Sequence, residues 1–225
     1  MRSKKIEEHK KLLRLTDRQR SILVGTILGD GHLESLNGGR TFRLKVEHSK
    51  KQSFYVDWLY DEFKDWALTP PKVKPKKLND KIFENYYFQT LSVGQFRFYG
   101  KLFYKFNLPK SIPKNIDKLL TPLALAVWFM DDGSYKSKNH RAVILNTQGF
   151  SEKDINILIE SFFKKFGLKA NIRIQKDGLQ IIIVGQSAQR FYEIVKPYVL
   201  PNFHYKFGAL INTLPKEYRR RSKVS

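Results

Sequence analysis

No cysteine occurs among the 225 residues, which excludes a disulfide framework and thiolate metal sites and leaves oxygen or histidine to hold any metal. The five histidines (His9, His32, His48, His140 and His204) show no HxxxH or similar ligand spacing, so zinc is not expected. Long apolar runs are also missing: no stretch reaches the roughly 20 residues that a membrane-spanning helix needs. The first fifteen residues carry both signs of charge and no apolar core region, and their glutamates argue against a transit peptide. Negative charge is scarce, with 21 Asp+Glu against 42 Lys+Arg, a formal net charge of +21. Together these features predict a soluble, intracellular protein with no membrane partner, whose natural ligand is a polyanion.

What the chain does contain is a repeat. Residues 22–31 (ILVGTILGDG) and 124–133 (ALAVWFMDDG) are both apolar helical runs that stop at Asp-Gly, and each is followed by a basic, strand-like segment. One such run is unremarkable, because glycine is the commonest residue at helix ends. Two, with similar segments behind each, read as an internal duplication. The fold class expected is α+β: two pseudo-symmetric αββαββα repeats with the two apolar helices packed at their interface. The division predicted is a charged extension over 1–15, a first repeat over 16–109, a linker over 110–120, a second repeat over 121–214 and a basic tail over 215–225.

Taken in order, Thr16 with Gln19 forms a capping-box signature for the first apolar helix, and Gly25 and Gly29 fall on one face of it. Leu36-Asn37-Gly38-Gly39 reads as a turn, and the strand after it alternates cleanly. Phe42, Leu44 and Val46 fall on one side; Thr41, Arg43, Lys45 and Glu47 fall on the other. Lys51 to Trp66 is an amphipathic helix stopped by Pro70-Pro71; then comes a second hairpin whose first strand carries Lys72, Lys74 and Lys76, with Pro75 marking an edge. A helix is predicted over 93–106. The second half repeats the order: Thr121-Pro122 opens its apolar helix, Lys138-Asn139-His140 turns a hairpin, Ser151 caps a helix ending near Phe166, Lys176-Asp177-Gly178 turns a second hairpin, and a last helix spans 188–199.

If the duplicated helices pack together, Asp30 and Asp132 become neighbours at their C-terminal ends. Helix C-termini disfavour carboxylates, and two of them about 5 Å apart repel by roughly 3 kcal/mol at an effective dielectric near 20. A hard divalent cation bound through oxygen, with Mg²⁺ the expected ion, is the natural compensation. Such a pair suits phosphodiester hydrolysis. Lys110 and Lys206, each near a Leu-Pro, are candidates to sit by the reacting phosphates, and Lys114 competes with Lys110 for that role. The remaining cations and amides cluster on strand faces: Arg43 and Lys45; Lys72, Lys74 and Lys76; Lys136, Lys138 and Arg141; Arg173, Gln175 and Gln180. Two-stranded ribbons of this kind fit the major groove of double-stranded DNA.

These motifs resemble the LAGLIDADG homing endonucleases, in which residues 23–31 and 125–133 occupy the nine-residue pattern twice. The resemblance runs from about Thr16 to Leu210 and is closest to the monomeric intron-encoded branch that includes the yeast mitochondrial omega-intron enzyme. Segments 121–133, 145–148 and 201–206 look most alike. It implies a β-strand saddle that holds a long asymmetric DNA target, cut on both strands across the minor groove to leave 3′ overhangs. It further implies two or three Mg²⁺ ions, replaceable by Mn²⁺ or Ca²⁺, a monomer needing no protein partner, and residence in an organellar matrix or a bacterial or archaeal cytoplasm. By motif position the metal-binding acids are Asp30 and Asp132, with Gly29 and Asp131 as flanking metal candidates, and the active-site lysines are Lys110 and Lys206. Glu47, with Asn146 or Gln148, falls where the family places polar groups that organise water or metal; all three are also candidate DNA contacts. Val127 and Asp131 stand where small residues are usual, which predicts less close helix packing. The competing reading is an RNA maturase, or a nucleic-acid-binding protein without cleavage, on the same fold.

Overall fold

The computed structural model describes residues 4–78, 81–104, 109–137 and 140–213. The expected turns at Asn79-Asp80 and Lys138-Asn139, the candidate DNA contact Lys138, the end of the helix predicted to reach Phe106 and the basic tail over 215–225 lie outside the described residues. The chain divides into two compact units, one ending at Pro109 and the other starting at Lys110.

In the first unit a short surface helix, α1 (Lys4–Leu12), buries none of its residues. Thr16 then caps α2 (Asp17–Leu28) with the reciprocal Gln19 contact that the sequence predicts. Every residue of α2 from Ile22 to Leu28 is buried. The chain continues through β1 (His32–Glu34), β2 (Arg43–Ser49), α3 (Ser53–Phe63), β3 (Lys72–Leu78), β4 (Lys81–Gln89) and α4 (Arg97–Phe103). The four strands make one antiparallel sheet in the order β1-β2-β4-β3, which puts β3 and its Pro75 on an edge, where a missing N–H is harmless.

Period-two alternation decides the two faces of that sheet. Leu44, Val46 and Phe88 are buried on the side covered by α3, whose Tyr55, Val56, Leu59 and Phe63 are buried in turn. Arg43, Lys45 and Glu47 share the opposite face with Asn85, Tyr87 and Gln89 of β4 and with Lys72, Lys74 and Lys76 of β3. The helix predicted over 51–66 is broken into 3₁₀ turns at both ends of α3, and the one predicted over 93–106 begins as a 3₁₀ turn at 94–96. Short 3₁₀ pieces at helix ends are the ordinary result of unsatisfied terminal groups tightening the last turn.

The second unit starts with α5 (Ile116–Leu119), inside the stretch expected to be linker, followed by α6 (Pro122–Asp132). Thr121 caps α6 by accepting the Ala124 N–H at 3.0 Å, with Pro122 in the first turn, where its missing N–H leaves no bond unmade. Then follow β5 (Gly133–Ser137), β6 (His140–Leu145), α7 (Glu152–Phe166), β7 (Ala170–Gln175), β8 (Gly178–Val184) and α8 (Gly185–Val195). Ser151 and Asp154 form the capping box of α7, and Gly167 closes that helix in the left-handed region at φ 65°. The sheet order is β5-β6-β8-β7, the same first-second-fourth-third arrangement as in the first unit.

Both units therefore run apolar helix, hairpin, helix, hairpin, helix, and the duplication holds at the level of topology. The last predicted helix, over 188–199, begins earlier and stops earlier than expected; beyond it lies a 3₁₀ segment, Pro201–Thr213, that is kinked at Gly208 and packs on β5 and β6. No helix among the described residues is long and apolar enough to cross a membrane.

Candidate metal and nucleic-acid sites

The two Asp-Gly ends are built differently. α2 stops at Leu28 with Gly29 as its cap, so Asp30 lies beyond the helix, exposed to solvent. Gly29 N–H donates to Gly25 O at 3.0 Å, and Gly31 N–H donates to Thr26 O at 2.8 Å. A Cβ on Gly31 would run into Thr26, with its carbonyl oxygen at 2.8 Å, so only glycine lets the chain turn off the helix so tightly here. Facing Asp30 is a residue that sequence reasoning set aside: the Nδ1 of His48, 3.7 Å from the Asp30 carboxylate. His48 is 8% exposed and packs edge-on against Tyr55. Its signal was there to be read, since it continues the inward series Leu44, Val46 and is the one polar member of it.

In the second unit α6 runs through both acids, and Asp132 is its last residue. The Asp132 carboxylate accepts the indole N–H of buried Trp128, one turn earlier, at 3.1 Å. Its backbone carbonyl accepts twice from Asn146, from the amide N–H at 3.0 Å and from the side-chain Nδ2 at 2.8 Å. The two preceding carbonyls, Met130 O and Asp131 O, both accept from the ammonium of Lys206 at 2.5 and 2.9 Å. Carbonyls at a helix C-terminus have no partner inside the helix, and here a lysine and an asparagine supply them. Lys206 is 9% exposed, and its charge opposes both the helix dipole and the adjacent carboxylates.

The other candidates fall as follows. The Lys110 ammonium lies over the Phe150 ring, 5.2 Å from its centroid. Lys114 instead lines a groove of about 340 Å³ with Asp117 of α5 and Glu160 and Lys164 of α7. Gln148, the alternative to Asn146, lies in the loop between β6 and α7, and its Nε2 donates at 3.1 Å to Asp177 of the β7–β8 turn. Gln175 donates to Ile174 O at 2.6 Å, while Lys136 and Arg141 are exposed. Gln180 is 8% exposed and has both ends of its amide engaged, by Arg173 at 3.2 Å and Asn146 at 2.7 Å.

On the first unit's outer face several cations already have acidic partners. Glu34 on β1 pairs with Arg43 directly opposite it and with Lys45 at 3.4 Å. The Arg43 hydrogen bond holds the Glu34 carboxyl below its ordinary value. Glu47 accepts from Lys74 at 2.6 Å and from Asn85 at 2.6 Å; burial alone would raise its pKa, but these two partners win and lower it. Lys72 and Lys76 are exposed. Strand β4 contributes residues that were not singled out in the sequence: Asn85, Tyr87, over whose ring Lys74 sits at 5.1 Å, and the half-exposed Phe83 opposite Lys76. Neither side of β4 is clearly apolar in sequence, so its alternation carries no direction by itself.

Residues 20–191 match the LAGLIDADG DNA endonuclease family. The chain is 33% identical over 212 residues to the "Probable intron-encoded endonuclease 1" of Wickerhamomyces canadensis, covering 91% of this chain and 90% of that one. It is 31% identical over 200 residues to the cytochrome b mRNA maturase bI2 of Saccharomyces cerevisiae, covering 84% of this chain but only 47% of the maturase. Among solved structures it matches the homing endonuclease I-WcaI bound to its DNA recognition sequence, with a TM-score of 0.85, 30% identity, and coverage of 92% and 93% of the two chains.

Proposed function

The chain belongs to the LAGLIDADG DNA endonuclease family, and from that premise we propose that it is a site-specific homing endonuclease. In this reading it hydrolyses both strands of a long asymmetric DNA duplex across the minor groove and leaves 3′ overhangs. The observation that carries the reading is the extent of the I-WcaI match, which spans 92% of this chain at a TM-score of 0.85 rather than one motif. A chain with two unlike repeats, over 16–109 and 121–214, needs no second copy to read a non-palindromic site.

The residues present fit divalent cations. Asp30 and Asp132 offer carboxylate oxygens, Gly29 and Asp131 stand beside them, and no thiolate is available to favour a softer metal. Mg²⁺ is the ion we assign, and when bound it supplies Lewis-acid stabilisation of the phosphoryl oxygens and a more acidic water. The chain's own groups do the rest. Trp128 and Asn146 fix where the Asp132 carboxylate and carbonyl point. Lys206 offsets the negative field at the end of α6, and Lys110 is the counterpart we assign to the first half. Lys72 and Lys76, with Lys136 and Arg141, contact the duplex backbone or base edges from the strand faces. The protein acts wherever its target gene resides, in an organellar matrix or a bacterial or archaeal cytoplasm.

The test uses the intronless allele of the host gene as substrate. With Mg²⁺ the protein is expected to cut it at one position, whereas Asp30→Asn and Asp132→Asn each lower the rate at least a thousandfold while binding the duplex with unchanged affinity. Tight binding with no cutting by the parent protein would sink the enzyme reading. The maturase relative gives the second reading its support, and restored splicing of the intron RNA in the same preparation would favour it.

A further inference from the structure

A chain of hydrogen bonds runs from the cationic strand face of the second unit to the backbone of Asp132, and its polarity is forced. The Asp132 carbonyl can only accept, so Asn146 must turn its Nδ2 toward it, at 2.8 Å. That leaves Asn146 Oδ1 to accept from Gln180 Nε2, at 2.7 Å. Gln180 Oε1 then faces Arg173, at 3.2 Å, and a guanidinium can only donate. With an obligate acceptor at one end and an obligate donor at the other, neither amide can flip without breaking two bonds. The three residues lie side by side on the sheet: Arg173 and Gln180 are directly opposite on β7 and β8, and Asn146 follows the end of β6. Gln180 is only 8% exposed, so a lost partner there is not replaced cheaply by water. The first unit carries a comparable cluster on its equivalent strands, with Glu47 of β2 held by Asn85 of β4 and Lys74 of β3.

We infer that Gln180 and Asn146 are positioning residues rather than base readers. They tie the end of α6 to the strand face, with Arg173 as the outer anchor, so that an interaction on that face fixes the placement of Asp132. The inference rests on the endonuclease reading and deepens it: these residues act in the cleavage step and not in target affinity.

Three variants of the full chain test it, with the target duplex and Mg²⁺, by single-turnover cleavage and equilibrium binding side by side. Gln180→Met removes both bonds. Gln180→Glu has the same size and still accepts from Arg173, but no longer donates to Asn146. Asn146→Ser keeps a small polar group without reaching both partners. All three are expected to cut at least tenfold more slowly with dissociation constants within threefold of the parent. Parent-like cutting by a folded Gln180→Glu protein, judged by its melting curve, would overturn the inference. So would a binding loss that matches the rate loss, since Gln180 would then be an ordinary DNA contact. If Gln180→Met does not fold, the same readouts on Gln180→Glu and Asn146→Ser decide. Failure of the underlying reading looks different: the parent itself would then bind the duplex without cutting it, whatever residue 180 is.

Discussion

Asp132 is held by more atoms than a cap residue needs. Its carboxylate has an indole N–H, its carbonyl has two donors from Asn146, and the carbonyls before it have Lys206. Trp128→Phe isolates one of these contacts, because it keeps most of the buried ring and deletes only the N–H. A hydrogen bond to a charged group contributes about 1.5–3 kcal/mol, so single-turnover cleavage is expected to fall roughly ten- to a hundredfold with little change in target affinity. An unchanged rate would show that the indole merely fills space. At this scale the acids and Lys206 were legible as candidates, because a repeated motif marks them. Their partners were not. Trp128 reads as one more apolar residue of α6, and His48 meets Asp30 only once β2 has paired and turned its inner face toward the α2 terminus. The bonds from the Lys206 ammonium to the Met130 and Asp131 carbonyls likewise cannot be read from the motif that marks the lysine.

At the level of elements, capping and alternation made most of the fold readable. Thr16, Thr121 and Ser151 all cap the helices assigned to them, and β2 shows the burial alternation its sequence predicts. The ends of helices were read less well, since 3₁₀ turns at 50–52, 64–66 and 94–96 come from terminal groups tightening a turn, which no residue type marks in the sequence. The pairing of β1 with β2 also adds something that strand alternation cannot show: Glu34 sits opposite Arg43 and neutralises two cations expected to serve DNA. Because folding lowers the Glu34 pKa, its contribution to stability is complete above the ordinary glutamate value of 4.5 and fades as pH falls through the lowered value. Glu34→Gln should therefore be less stable than the parent at pH 7, by no more than about 1 kcal/mol for so accessible a pair, and the gap should close in acid. Urea midpoints measured from pH 7 down to pH 3 check this. A gap that stays constant over that range would mean the pair has no electrostatic role.

For the whole molecule the governing quantity is charge. A net +21 over 225 residues draws in any polyanion, and each phosphate neutralised releases counterions, so binding weakens linearly on logarithmic axes as salt rises, by about 0.9 per phosphate contact. Lys72 and Lys76 are exposed on the edge strand of the first unit. Replacing both with alanine is expected to weaken binding alike for target and random duplexes and to lower the salt slope by about 1.8. Titrations between 50 and 200 mM salt measure that slope; a loss confined to the cognate sequence would instead mark the two lysines as readers of bases. The polyanion partner was legible from composition alone, whereas which cations remain available was not, because acids scattered along the sequence come to lie beside particular lysines and arginines only after the strands pair.

The ammonium that closes the end of α6 comes from residue 206, 76 positions after the first carbonyl it satisfies. A ribosome that has released only the apolar helix and its hairpin has made the acids but not their clamp. Completion of the second centre is thereby timed to a late moment in synthesis, and a chain cut short before the 3₁₀ segment would expose its acidic ends without the group that steadies them.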